Sequence, residues 1–164
     1  ASEGKNKVAD YKDVPSGYRG ELENYFESSL SGWSILSSSS TVVEKHLFNE
    51  VGGFHPGLDL GEDLDLWCKL ALNGKIAFLN EPLSIYHYFN DSSVTRTNYA
   101  KTEMLYMKYL SSQLTSGNDF KYLAPSIHRF IAKGLQLIVC ENAKHNDYSN
   151  LWAMVFLYSN ISYF

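Results

Sequence analysis

Two adjacent carboxylates, Glu62 and Asp63, stand where a glycine-containing loop runs into a segment of helical apolar spacing. A third, Asp65, follows two residues later. A carboxylate held rigidly can take a proton from a hydroxyl as that oxygen becomes a nucleophile. The same placement has a plain structural use. Acids in a first turn complement the positive end of the helix dipole and cap its free amides. From the residues alone, capping is the default role. Gly57 and Gly61 precede the pair and let the loop backbone come close to a ligand. Asp65 faces elsewhere and is spaced i,i+4 from Lys69, which suits an ion pair.

The elements that must hold these groups can be read from periodicity. A polar lead over 1–17 reads as loop. Leu22, Tyr25, Phe26 and Leu30 recur at helical spacing between Arg19 and Ser31, with Gly32 as the stop. Residues 33–43, WSILSSSSTVV, read as a strand through a serine run, because β-formers flank the serines on both sides. Residues 44–51 form a short helix that ends at Gly52-Gly53. Leu64, Trp67, Cys68, Ala71 and Leu72 place a helix over 62–73, closed by Asn73-Gly74. Strands follow at 75–79 and 83–89, then helices from about 98 to 113, 119 to 142 and 148 to 157. The fold expected is mixed α/β over 1–97, followed by a helical extension over 98–164.

Composition narrows the partners. The chain has 164 residues, 45% hydrophobic, with 14 basic and 18 acidic residues and a net charge of −4. Apolar content suffices for one core, and no dense basic run suggests nucleic acid. The basic residues of the extension, Lys108, Lys121, Arg129, Lys133 and Lys144, read as a solvated face. Cys68 and Cys140 lack metal-ligand spacing and read as buried reduced thiols of a cytoplasmic protein. The chain opens without Met and without an apolar leader, and reads as part of something longer. Residues 151–164 are apolar and aromatic but too short to cross a bilayer.

Taken in order, residues 37–95 run through the serine-rich segment, VGGF, GEDLDLWCKLALNGKIAFL and EPLSIYHYFNDSSVT. This order and spacing resembles the second half of family-2 glycosyltransferases of the GT-A fold. The resemblance implies an acceptor-side portion of an inverting nucleotide-sugar glycosyltransferase. It implies that Asp63 is the general base and that Glu62 orients the acceptor or supports the loop. It places Gly53 and Phe54 beside the sugar pocket. Trp67 reads as core by its spacing; an exposed aromatic near such a site can stack on a sugar face, which keeps Trp67 among the candidate substrate contacts although nothing singles it out.

Departures bear on the phosphate end. His55-Pro56 stands where relatives often have Asp-Glu, and His87-Tyr88-Phe89 stands where they often have Arg-x-His. His87 becomes the one candidate here for a phosphate or metal contact. The resemblance implies Mg²⁺ or Mn²⁺ with a nucleotide-sugar donor in the complete enzyme, held by an N-terminal nucleotide-binding half that this chain lacks. By itself the chain is expected to hold no cofactor firmly and to be inactive. The expected partners are a sugar acceptor and the nucleotide-binding half. A homodimer contact and peripheral contact at the inner face of the cell membrane are further roles that such extensions take. The alternative reading is a non-catalytic carbohydrate- or protein-binding module that keeps the acceptor half.

Overall fold

The computed structural model describes residues 11, 13–31, 34–85, 100, 102–116 and 119–161. His87, Phe89, Gly32 and Trp33 lie outside the described residues, as does the rest of the expected strand beyond residue 85. The chain is helix-rich, with one two-stranded sheet among the described residues.

Strand β1, Arg19–Glu21, pairs antiparallel with β2, Ala77–Leu79, setting Gly20 opposite Phe78. The expected helix therefore starts later than Arg19. Its first three residues are drawn into a ladder with a segment about 58 residues away, a pairing that local periodicity cannot register. Ion pairs Arg19–Glu81 and Lys75–Glu21 (3.0 Å) flank the ladder. Asn80 ties the preceding loop to it by donating from Nδ2 to the carbonyls of Val14 (2.8 Å) and Pro15 (3.0 Å).

Helix α1, Tyr25–Ser28, is capped by Asn24, whose Oδ1 accepts from Glu27 N (3.2 Å). A 3-10 turn over Ser29–Ser31 follows. The strand expected at 33–43 is not formed over its described residues 34–43. Ser40 N and Thr41 Oγ1 both donate to Ser37 O, at 3.1 and 2.7 Å, and fold the serine run into a turn. Hydroxyl-bearing side chains offer the backbone a local alternative to a ladder, and here that alternative prevails.

Helix α2, Lys45–Glu50, and helix α3, Glu62–Asn73, fall where the sequence puts them. Beyond β2 the order is α4, Leu105–Thr115; a 3-10 turn, Asp119–Leu123; α5, Ala124–Lys144; and α6, Leu151–Ile161. Helix α4 begins later than expected, and the segment 119–123 is 3-10 rather than α. Leu83–Ile85 is irregular and exposed rather than strand.

The core lies where α3, α4 and α5 meet α1. Phe26, Leu66, Met107, Leu110, Ile127 and Ile131 are fully buried there. Phe130 stacks edge-on with Phe26 and Tyr106, each at 5.6 Å between ring centres. Such pairs contribute about 0.5–1.5 kcal/mol each beyond burial. Polar contacts pin α1 to α5. Asn24 Nδ2 donates to Ser126 Oγ (3.0 Å), Arg129 pairs with Glu27 (2.5 Å), and Lys133 Nζ donates to the carbonyls of Ser29 and Leu30. The basic residues of the extension are thus not one solvated face, since Arg129 and Lys133 act as cross-links. Cys68 is buried as expected, but Cys140 is exposed. Helix α6 leaves Trp152, Val155 and Phe156 exposed and buries Met154. Among the described residues, no helix is long and apolar enough to cross a membrane.

Candidate functional site

Helix α3 is entered through a loop whose backbone only glycine adopts readily. Gly52, Gly53, Gly57 and Gly61 all have positive φ, between 62° and 84°. Gly53 is also confined: a Cβ there would lie 2.8 Å from the Phe48 ring. That ring packs edge-on against Phe54 at 5.8 Å, which leaves Phe54 45% exposed on the loop surface. The VGGF turn thus delivers an aromatic face to solvent a few residues before the carboxylates.

Gly61 occupies the N-cap of α3 in a left-handed conformation, and no side chain caps the helix. Glu62 and Asp63 are therefore the first two helical residues and do not cap in the side-chain sense. Asp63 Oδ1 accepts from Leu64 N (2.7 Å), and no side chain pairs with Asp63 among the described residues. Burial raises its pKa from the usual carboxylate value, and the neighbouring charge of Glu62 adds to the rise.

A buried hydroxyl group that the sequence reading did not single out lies close enough to α3 for its pKa to respond to the charge of Asp63. Tyr25 is 4% exposed, and its Oη lies beside the hydroxyls of Ser29 and Ser34. None of the three makes a well-aligned hydrogen bond to a described residue. The phenol is held well above its usual pKa, chiefly by burial, with the field of Cys68 next and that of Asp63 adding less. Buried hydroxyls gathered in this way can pair with one another or hold a water. Tyr25 sat on the apolar face of a predicted helix, and Ser34 in a predicted strand. Only their approach in space exposes the cluster.

On another side of α3, Asp65 is fully buried and Lys69 Nζ lies 2.6 Å from its Oδ2. The expected i,i+4 pair forms. Beyond this contact neither Asp65 oxygen receives an aligned hydrogen bond. Trp67 is 2% exposed, so no ring face is open for stacking on a sugar in this fold. The stacking candidate is corrected to a core residue, and its Nε1 is buried without a partner. His87 lies outside the described residues.

Gly53 and Phe54 lie early in the glycine-bearing stretch that leads into α3, Glu62 and Asp63 open that helix, and Trp67 lies in the core. A divalent cation needs several convergent oxygen or nitrogen ligands. Among the described residues, no group of three or more His, Cys, Asp or Glu side chains converges. Comparison with protein-family models, curated proteins and solved structures returned no match.

Proposed function

We propose that this chain is the acceptor-side portion of an inverting nucleotide-sugar glycosyltransferase of the GT-A kind, with Asp63 as the general base. The observation that carries the proposal is the state of Asp63. It stands in the first turn of a helix whose N-cap is Gly61, accepts from the Leu64 amide, pairs with no other side chain among the described residues, and has its proton affinity raised by burial. A base tuned upward from the ordinary carboxylate range is better matched to taking a proton from a hydroxyl. The ordered run from VGGF through GEDLDLW supports the same reading.

In this mechanism the acceptor hydroxyl approaches the α3 N-terminus. Its proton passes to Asp63 as its oxygen bonds to the anomeric carbon, and the nucleoside diphosphate leaves from the opposite face. Burial chiefly keeps Asp63 basic, and the charge of Glu62 adds to the effect. Gly53 and Phe54 shape the loop rim that the sugar meets.

The test uses the natural full-length gene product with a panel of nucleotide-sugars, following release of nucleoside diphosphate and the anomeric configuration of the product. Transfer with inversion is the expected result. Saccharide binding with no transfer from any donor would replace this reading with the binding-module one.

A further inference from the structure

The two-stranded sheet has two outer edges, and the chain treats them differently. Leu22 N donates to Ile76 O (2.8 Å), and Asn80 N donates to Tyr18 O (2.9 Å). Antiparallel pairs alternate between bonded and non-bonded positions. Gly20 and Phe78 therefore face each other through their backbones, while Arg19, Glu21, Ala77 and Leu79 turn their amides and carbonyls outward. On β1 the outward carbonyl of Glu21 accepts from Tyr18 Oη (2.6 Å). On β2 the Leu79 carbonyl accepts from Glu81 N (2.9 Å), but no described residue bonds to the Ala77 amide, the Ala77 carbonyl or the Leu79 amide. Ala77 and Leu79 are both exposed, and neither carries a charge that would turn another strand away. A two-stranded ladder is marginally stable at best, so a free edge of this kind gains from a further strand.

The side chains along this edge are complementary to their own reverse order. Lys75 and Glu81 stand three residues either side of Phe78, and Ala77 and Leu79 stand one residue either side. All four belong to one face of an extended strand, because alternate side chains share a face. An antiparallel copy centred on Phe78 brings Lys75 opposite Glu81 and Ala77 opposite Leu79, twice over. Within one chain, Lys75 already pairs with Glu21 and Glu81 with Arg19. The Lys75 side chain is still 82% exposed, and across the contact the charges alternate in sign along the row.

We infer that the free edge of β2 docks a second copy of this chain, antiparallel about Phe78, in a sheet of strand order β1, β2, β2, β1. Ala77 and Leu79 of the two copies then exchange amide-to-carbonyl hydrogen bonds at both ends of the contact. Any extended segment could satisfy that backbone. The opposite charges placed at equal distance from Phe78 are what point to a second copy. The ladder is short, so the dimer is weak and exchanges readily. It forms on the sheet, not on the helical extension to which the sequence reading gave a homodimer contact.

The test is sedimentation velocity of the 164-residue chain over a concentration series reaching the millimolar range. A monomer–dimer equilibrium is expected. Lys75→Glu and Glu81→Lys each set like charges together at both contacts and should weaken dimerisation roughly tenfold. An equimolar mixture of these two variants should recover the dimer, since both contacts then join opposite charges. A purely structural effect of either substitution would give no such recovery. Ala77→Pro removes an outward amide while leaving the bonds to β1 in place, and should abolish the dimer without changing the far-ultraviolet circular dichroism. A chain that stays monomeric throughout would overturn the proposal. So would a dimer indifferent to these substitutions, or a mixture no more dimeric than its components. No variant touches Asp63, so the outcome is independent of the transferase reading.

Discussion

Residues 11–85 and residues 100–161 solve the same problem of holding a chain in place by different means. The first region has short elements, a three-residue ladder and helices of 4, 6 and 12 residues, joined by turns. All five positive-φ glycines lie in it. The second region is built from helices of 11, 21 and 11 residues, and its described part has one positive-φ residue, Asn146. Long helices bury side chains efficiently but present regular, predictable surfaces. Loops shaped by glycine can aim a backbone and a carboxylate where regular structure cannot. The candidate chemistry sits in the first region, and the second supplies the wall against which it is braced.

The comparison can be broken most severely at the seam. Asp65→Ala removes the buried partner of an ion pair within α3, whose Lys69 end lies over the Tyr109 ring of α4, and is expected to destabilise the fold by about 3 kcal/mol. Denaturant unfolding checks this. A change within a few tenths of a kcal/mol would mean that Lys69 does not hold the seam.

A smaller effect separates the regions through their glycines. Gly53→Ala combines a positive φ with a clash against the Phe48 ring and should cost about 1–3 kcal/mol. Gly134→Ala, in α5, meets Tyr106 Oη at 2.2 Å and Met107 Cε at 2.5 Å with ordinary helical backbone. It should cost a similar amount through overpacking alone. The two differ in where the damage appears. Hydrogen exchange should rise locally in the 52–61 loop for the first variant, and across the α4–α5 contact for the second.

The smallest effect concerns Asp63. Its folded-state pKa is raised, so protonation favours the folded state. The ionised form therefore lowers stability above that pKa, and the loss disappears as pH falls through it. Asp63→Asn should unfold at a slightly higher temperature than the wild type near neutral pH, by under about 0.5 kcal/mol. The gap should close on acidification through the carboxylate range. Thermal melts across pH check the sign, and a variant less stable than the wild type at neutral pH would contradict it.

Much of α2 and α3 was legible in the sequence because their signals are local. Gly52-Gly53 and Asn73-Gly74 punctuate the ends, and Trp67, Cys68 and Leu72 mark the buried face, with Leu64 half-buried against it. The Asp65–Lys69 pair followed from i,i+4 spacing. What was hidden depended on distance or on competition. Arg19–Glu21 becomes strand only because residues 77–79 lie beside it. The serine run folds onto Ser37 O because hydroxyls outcompete the β preference of their neighbours. Tyr25, Ser29 and Ser34 are ordinary residues until the fold gathers their hydroxyls together. Trp67 carried both a core and a stacking reading, and only its burial separates them.

The central claim is the role of Asp63, and turnover of Asp63→Asn in the full-length gene product tests it most directly. The measurement is nucleoside diphosphate release from whichever nucleotide-sugar the wild type uses, with donor affinity determined in parallel. Loss of the base should lower turnover by roughly 10²–10⁴-fold while donor affinity stays unchanged. Turnover retained at the wild-type level would contradict the assignment and return Asp63 to a structural role at the start of α3.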